Sequence, residues 1–387
     1  MQFELTETQQ TLKNTVRKFL AAECPIAEVR RLMETDTAFD AGLWAKMAEQ
    51  GWTGMLIPEQ YGGFGMGMVE MAATLEEMGR ALLPGPFFST VVMAGTLIEK
   101  AANEEQKRKY LGALARGESK TTVAFLEDLP DWTPRGVQLR ARASAGGYTL
   151  DGTKLFVPDA GVADFIVVIA RLEGELAAFV VGRDSAGLSI RPMSSMDLTR
   201  KVYEVGFEGV KVAAGDLLAS GPAAGQALGR ARAMAVAGLV AEMTGGMQRL
   251  LDLTVEYAKT RKQFGRPIGQ FQAVQHQCAD MLVFTESTRS AAYYAAYAIQ
   301  EGIPEAPLAV SVAKAYASEA YRETGNRAIQ VHGGMGFTWE NDAHLYYRRA
   351  KVSEQTFGDA IFHREQIAKL VVDAHPVRQE ELAATRG

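Results

Sequence analysis

The sequence predicts an α+β protein of three domains: an N-terminal α-helical domain over residues 1–118, a middle antiparallel β-barrel or sandwich over 119–225, and a C-terminal four-helix bundle over 226–387. Three zones of different composition support this order. The first has apolar residues at helical spacing, the second has short β-like runs between turns, and the third is helical and rich in alanine. A chain of 387 residues with 47% hydrophobic content can bury a core in each domain.

Amphipathic helices account for the first zone. Leu12, Val16 and Leu20 fall on one face of a helix predicted over residues 8–22. Asn103-Glu-Glu-Gln106 has the composition of a helix N-terminus, because Asn caps the first turn and Gln can bond back to the cap. The same periodicity predicts further helices over residues 43–50 and 69–83.

The middle and last zones differ in period. Residues 148–157 contain a central Asp-Gly pair, which predicts a β-hairpin. Other β-like runs cover 165–170, 177–181 and 202–207. Long alanine-rich helices, which favour close antiparallel packing in a bundle, are predicted over 231–260, 272–301, 307–332 and 360–372.

Composition excludes several classes of function. The net charge of −5 and the lack of a long basic tract argue against nucleic-acid or anionic-membrane binding. The N-terminal residues lack a signal-peptide pattern, and the longest apolar stretch, 233–241, is too short to span a bilayer. Cys24 and Cys278 give no disulfide framework and are expected to be buried thiols, and no His or Cys spacing indicates a metal site. We therefore expect a cytoplasmic protein.

A basic cluster interrupts this acidic chain at residues 257–272. Phe264 and Phe271 lie among its cations, and Gly265 and Pro267 stop a helix there. Guanidinium groups, free backbone amides and aromatic faces together suit a ligand that carries phosphates and rings. The alternative is a solvated basic helix end. The cations are Lys259, Arg261, Lys262 and Arg266.

Four segments, in this order, make nearly the whole chain similar to the acyl-CoA dehydrogenase family. The resemblance implies bound FAD, hydride transfer from an acyl-CoA thioester to flavin N5, a trans-2-enoyl-CoA product, and an electron-transfer flavoprotein as acceptor. It also implies an oligomer with FAD at the subunit interface. The segments are Pro58-Glu-Gln-Tyr-Gly-Gly63, Asp151-Gly-Thr-Lys-Leu-Phe156, Arg261-Lys-Gln-Phe-Gly-Arg-Pro-Ile268 with Gln272, and Gln330-Val-His-Gly-Gly-Met-Gly-Phe337.

The same resemblance assigns cofactor contacts. Arg261 would hold the FAD pyrophosphate of a neighbouring subunit, and the backbone of the 330–334 segment would cover the dinucleotide. Phe156 stands where the family usually has a tryptophan against the flavin, and Pro158 replaces a hydroxyl residue near flavin N5. Plain core packing is the alternative for Phe156. The full set of cofactor residues is Arg261, Gln263, Phe264, Gln272, Gln330, Val331, Gly333, Gly334, Phe125, Phe156 and Pro158.

The catalytic base is the main departure from the family. Phe357, before Gly358, occupies the usual glutamate position, and Ala235 occupies the other known position; neither can accept a proton. The backbone N–H of Phe357 could still hold the thioester carbonyl. Glu242, two helical turns after Ala235, is the predicted base, and an internal salt bridge is its alternative role.

Three interpretations therefore stand. The first is a self-sufficient acyl-CoA dehydrogenase with Glu242 as base. The second, motivated by the Phe-Gly-Asp motif at 357–359 that resembles small or sterol-type subunits, is a non-catalytic FAD-binding partner of a paralogous large subunit. The third is a flavin oxidase or monooxygenase on the same fold. The departures around the flavin favour a bulky, branched, cyclic or dicarboxylic acyl group.

Overall fold

The N-terminal domain is helical in the computed structural model, which describes residues 5–373. Capping boxes start two of its helices: Thr6 with Gln9, and Asn103 with Gln106 as the sequence predicts. A π-helical segment, Phe88–Gly95, leads into the fifth helix. The helices are α1 (Glu7–Glu23), α2 (Ile26–Met33), α3 (Ala41–Glu49), α4 (Met68–Arg80), α5 (Thr96–Ala101) and α6 (Glu104–Ala115).

The middle domain is a single eight-stranded sheet. Its strands are β1 (Thr121–Ala124), β2 (Arg140–Ser144), β3 (Gly147–Pro158), β4 (Phe165–Leu172), β5 (Glu175–Gly182), β6 (Leu188–Met193), β7 (Val202–Ala213) and β8 (Leu217–Ser220). The strands follow the order β6-β7-β3-β2-β4-β5-β8, and β1 pairs in parallel with β4. Within the described residues the path ends at β6 and β8 without closing. The predicted β-domain is confirmed, but it is an open sheet rather than a barrel.

The predicted hairpin at Asp151-Gly152 is wrong. Strand β3 continues through this pair, and its pairing with β7 shifts there at a bulge. The tight turn lies earlier, at Gly146 (φ 84°), between β2 and β3. An Asp-Gly pair suits a bulge as well as a turn. Gly152 can adopt the positive φ of 140° that the bulge requires, and the Gly209 N–H of strand β7 donates a hydrogen bond to the Asp151 carboxylate at 2.9 Å.

The C-terminal domain packs against the first domain at very short range. A Cβ at Gly79 would lie 1.9 Å from the Glu242 carbonyl oxygen, and one at Gly245 would lie 1.7 Å from that of Glu76. Only glycine permits this approach between α4 and the first long helix, α7. The elements are α7 (Gly221–Thr260), β9 (Lys262–Gln263), β10 (Arg266–Pro267), α8 (Gln272–Gln300), α9 (Ala306–His332), α10 (Ala343–Gln355) and α11 (Ala360–Ala368).

Both faces of the sheet are covered. One face packs against α5, α6 and the start of α7. The side chains of the other face pack against one another in an apolar core formed within the middle domain. Helix α7 begins ten residues before the start predicted at 231, because Ala224 and Ala227 pack on the sheet.

Cys24 is buried as predicted, whereas Cys278 is partly exposed. In residues 5–373, no helix is both long enough and apolar enough to cross a membrane.

Candidate active site

The basic cluster forms an exposed two-stranded hairpin at the end of α7. Phe264 (φ 53°) and Gly265 (φ 80°) make the turn between β9 and β10. The Ile268 N–H donates to the Arg261 carbonyl at 2.8 Å, which closes the hairpin behind them. Phe264 is 92% exposed, and the Arg266 guanidinium lies 4.2 Å from the centre of the Phe271 ring. The hairpin therefore presents cations and an aromatic face outward, beyond the body of its own domain.

The second predicted segment lies beside this hairpin. Helix α9 ends at His332, and Gly333 (φ 61°) starts the turn that follows. The Tyr257 ring stacks on His332 with 4.4 Å between ring centres, so the ends of α7 and α9 meet. Val331 is buried. The exposed members of the predicted FAD set in these two segments are Arg261, Gln263, Phe264, Gln272, Gln330, Gly333 and Gly334.

A cavity of about 590 Å³ lies between the end of β3 and the α10–α11 turn. This volume is typical of a small-molecule or cofactor site. Phe156, which is 49% exposed, and Pro158 form one wall, and Phe357 and Gly358 form the facing wall. Among the described residues, its lining does not include Arg261 or any other member of the basic hairpin.

A second pocket of only about 40 Å³ lies next to this cavity. The two positions at which the family's base is expected, Ala235 and Phe357, both line it. Trp132 forms part of its wall: its ring stacks on that of Phe125, with 5.9 Å between ring centres and 4° between planes, and its centre lies 5.0 Å from that of the Phe357 ring. The structure thus places Phe125 in this small pocket rather than in the wall of the larger cavity.

The buried side chain of Lys314 holds the turn that carries Phe357. Phe357 (φ 62°) and Gly358 (φ 102°) both have left-handed backbone. Lys314 donates to the carbonyl oxygens of Gly358 (2.8 Å) and Glu354 (3.0 Å), and burial lowers its pKa to about 7. Burial, followed by the charge of Lys314, lowers the pKa of His363 to about 3. No local motif in the sequence distinguishes Lys314 from other helical lysines.

Glu242 lies in a buried ion-pair network. Its Oε2 accepts from Arg200 at 2.5 Å, and its Oε1 pairs with Arg349. Arg349 also contacts Asp197 and Thr199. Both oxygens of the carboxylate are therefore bound to guanidinium groups, and Glu242 is absent from the lining of the cavity. This arrangement favours the salt-bridge role of Glu242, and its role as base stays a prediction.

Comparisons with known proteins agree with these features. Residues 6–118 match the profile of the acyl-CoA dehydrogenase N-terminal domain, and residues 222–372 match that of the C-terminal domain. The chain is 32% identical to acyl-CoA dehydrogenase IpdE2 of Mycobacterium tuberculosis, over 90% of this chain and 92% of that protein.

Two solved structures have the same fold. One is a chain of the ChsE4–ChsE5 complex from Mycobacterium tuberculosis (TM-score 0.89, 29% identity), which covers 97% of this chain and 100% of that one. The other is butyryl-CoA dehydrogenase from Megasphaera elsdenii (TM-score 0.88, 26% identity), with 96% and 100% covered. The chain belongs to the acyl-CoA dehydrogenase family, whose members are FAD-dependent oxidoreductases.

Proposed function

We propose that this chain serves the α,β-dehydrogenation of an acyl-CoA thioester as one subunit of a heteromeric acyl-CoA dehydrogenase, in which a paralogous chain supplies the catalytic base. The family establishes the reaction class and the cofactor, FAD. The observation that carries the finer proposal is the small pocket shared by Ala235 and Phe357, whose lining among the described residues includes aliphatic side chains, three aromatic rings and Arg232 but no carboxylate.

The chemistry explains why this pocket matters. The α-proton of an acyl thioester is weakly acidic, so its removal requires a carboxylate in a dry site, positioned against the α-carbon. Neither Ala235 nor Phe357 accepts a proton. The carboxylate of Glu242 has one oxygen paired with Arg200 and the other with Arg349, so neither oxygen is free to approach a substrate.

The residues of this chain fit FAD when two subunits share it. Arg261 offers a bidentate guanidinium for a phosphate, and Gly333 and Gly334 allow close backbone approach. This surface is not part of the chain's own cavity, which supports a cofactor shared between two chains. Bound FAD supplies the hydride-accepting chemistry; the residues of this chain position it and exclude water.

Three further parts complete the proposal. The ChsE4–ChsE5 neighbour was solved as a complex of two named chains, which supports a paralogous partner. We propose that electrons pass to an electron-transfer flavoprotein and that the reaction takes place in the cytoplasm. We also propose an acyl group that is bulky, branched, cyclic or dicarboxylic.

Flavin stoichiometry and activity test this proposal. The chain would be purified alone and after co-expression with candidate paralogues. In each preparation the amount of FAD per chain would be measured, together with the rate at which the protein dehydrogenates a panel of acyl-CoA thioesters in the presence of an artificial electron acceptor. From the chain alone we expect substoichiometric FAD and no turnover. From the assembly we expect stoichiometric FAD and turnover. One FAD per chain with full activity alone, lost in Glu242→Gln, would instead identify a self-sufficient enzyme. Rapid reoxidation by air would indicate an oxidase.

A further inference from the structure

Three side chains belong to the walls of both spaces in the candidate active site. Met93, Trp132 and Phe357 line the cavity of about 590 Å³ and also the small pocket of about 40 Å³ beside it. Because they line both spaces, these side chains form the partition between them. The small pocket has too little room for an acyl group, since ligand sites usually have about 300 Å³ or more. The partition therefore determines how far a ligand in the cavity extends toward Ala235.

The far side of the partition is apolar. Leu97 of α5 and Ala231 of α7 are buried and line the small pocket. Among the described residues Arg232 is the only charged member of this lining, and its guanidinium donates to the carbonyl oxygens of Trp132 (2.7 Å) and Phe357 (3.4 Å). A hydrocarbon group gains free energy when it leaves water for such surroundings. This space thus suits an alkyl chain.

Trp132 has the largest side chain in the partition and is fixed by contacts with three other elements. Its ring stacks on that of Phe125, which follows β1. Its indole N–H donates to the Gln355 carbonyl at the end of α10 at 3.2 Å, and its own carbonyl accepts from Arg232 of α7. Met93, by contrast, is unbranched and adapts its shape easily. The rigid indole is therefore the part of the partition that a ligand displaces least readily.

We propose that Trp132 is a specificity-determining residue, whose indole keeps the alkyl end of an acyl group out of the apolar space behind it. The cavity then does not select for the length of a straight chain, and removal of the indole joins the two spaces. The proposal rests on the acyl-CoA substrate of the proposed function. Core packing is the alternative role of Trp132; it would affect stability but not the preference among acyl groups.

The affinities for acyl-CoA thioesters of different length test this proposal. Calorimetric titration of the full chain, saturated with FAD, would give dissociation constants for butyryl-, hexanoyl- and octanoyl-CoA. In Trp132→Ala each methylene that enters the apolar space should tighten binding about threefold to fourfold. The preference for octanoyl-CoA over butyryl-CoA should therefore rise at least about tenfold above that of the natural chain. An unchanged preference would overturn the proposal.

Two further variants locate the effect. In Trp132→Ala/Ala231→Leu the leucine refills the apolar space from α7, so the preference should return toward the natural value; a gain that persists would overturn the proposal. Leu129→Ala is the matched control, because Leu129 belongs to the same loop, is 70% exposed and lines neither space. It should leave the preference unchanged, and an equal gain there would mean that any change in this loop alters binding.

Trp132→Phe covers the case in which Trp132→Ala does not fold, as judged by circular dichroism. It keeps an aromatic ring against Phe125 and should raise the preference by about threefold, the effect of one methylene. A folded Trp132→Phe chain with the natural preference would overturn the proposal. These experiments measure affinity, so they are independent of the source of the base. Turnover by the chain alone would overturn the heteromeric function and leave the role of Trp132 intact.

Discussion

The basic hairpin at residues 261–268 and the closed pocket around Phe357 are opposites. The hairpin is exposed, cationic and open to a ligand from outside, and its Phe264 ring is 92% exposed. The pocket has about 40 Å³ of free space and a lining that is apolar apart from Arg232, and Phe357 is only 4% exposed. The family resemblance predicts a part in one reaction for both segments: the hairpin has the cations that are predicted to bind a phosphate, whereas Phe357 cannot accept a proton.

This difference separates cofactor binding from proton abstraction. A phosphate site needs guanidinium groups and free amides, which a short surface motif provides by itself. A base needs a carboxylate, space for the substrate and a dry environment, and these come from several elements at once. A flavin signature therefore locates FAD without showing that the same chain performs the deprotonation.

Loss of Arg349 should have the largest effect on stability. Arg349→Met leaves the buried Glu242 with Arg200 alone and removes the cation that pairs with the buried Asp197. Removal of one member of a buried ion network costs about 3–5 kcal/mol, because the remaining charges are uncompensated. Urea unfolding monitored by circular dichroism would measure this loss.

The control for that experiment is Arg191→Met, which breaks an exposed pair with Glu204 on the middle sheet. It should change the free energy of unfolding by less than about 1 kcal/mol. Equal effects of the two substitutions would contradict the structural role of the buried network. They would also reopen the case for Glu242 as a free base.

Asp159 should make stability depend on pH. Its pKa rises from the ordinary 3.8 to about 6 in the folded chain, so the folded state holds the proton more tightly than the unfolded state does. The stability contributed by Asp159 is thus present below pH 4 and is lost as the pH rises to 6. Asp159→Asn removes this loss, and its advantage over the natural protein should grow by about 2 kcal/mol between pH 4 and pH 7. Denaturant unfolding at both pH values would show it; a constant difference would contradict the burial argument.

Arg261→Ala should weaken FAD binding without changing stability. Charge-assisted hydrogen bonds to phosphate are worth about 1.5–3 kcal/mol, which corresponds to a loss of roughly tenfold to a hundredfold in affinity. Lys262→Ala is the control, because this neighbouring exposed lysine has no predicted FAD contact and should change affinity much less. Flavin fluorescence on titration with FAD would measure both. Similar losses would mean that the hairpin acts only through its total charge.

Local signals predicted most of the fold. The helical zones, the cap at Asn103 and the β-character of the middle zone follow from spacing and from residue types that act within a few residues. The Asp151-Gly152 pair was misassigned because the same residues suit a bulge and a turn, and only pairing with β7 decides between them. The open edge of the sheet depends on long-range pairing in the same way.

The site was harder to predict because its decisive contacts are distant in sequence. Phe357 and Ala235 were identified by position, but the pocket that they share is visible only once Trp132 folds over it. Arg200, Arg349 and the free oxygen of Asp159 have no motif. Each acquires its role from partners on other elements.

Phe264→Ser should have only a small effect on stability and tests the comparison most directly. Since 92% of this side chain is exposed, its removal should change the free energy of unfolding by less than about 0.5 kcal/mol. The matched change in the closed pocket, Phe357→Ser, should cost about 3–5 kcal/mol, because it leaves a cavity beside Trp132 and Phe88. For FAD affinity the order should reverse: loss of the Phe264 ring should weaken binding about threefold to tenfold through a lost aromatic contact. If Phe264→Ser destabilises the purified chain as much as Phe357→Ser does, the hairpin is part of the folded core in solution, and the separation between an outward cofactor surface and a closed pocket fails.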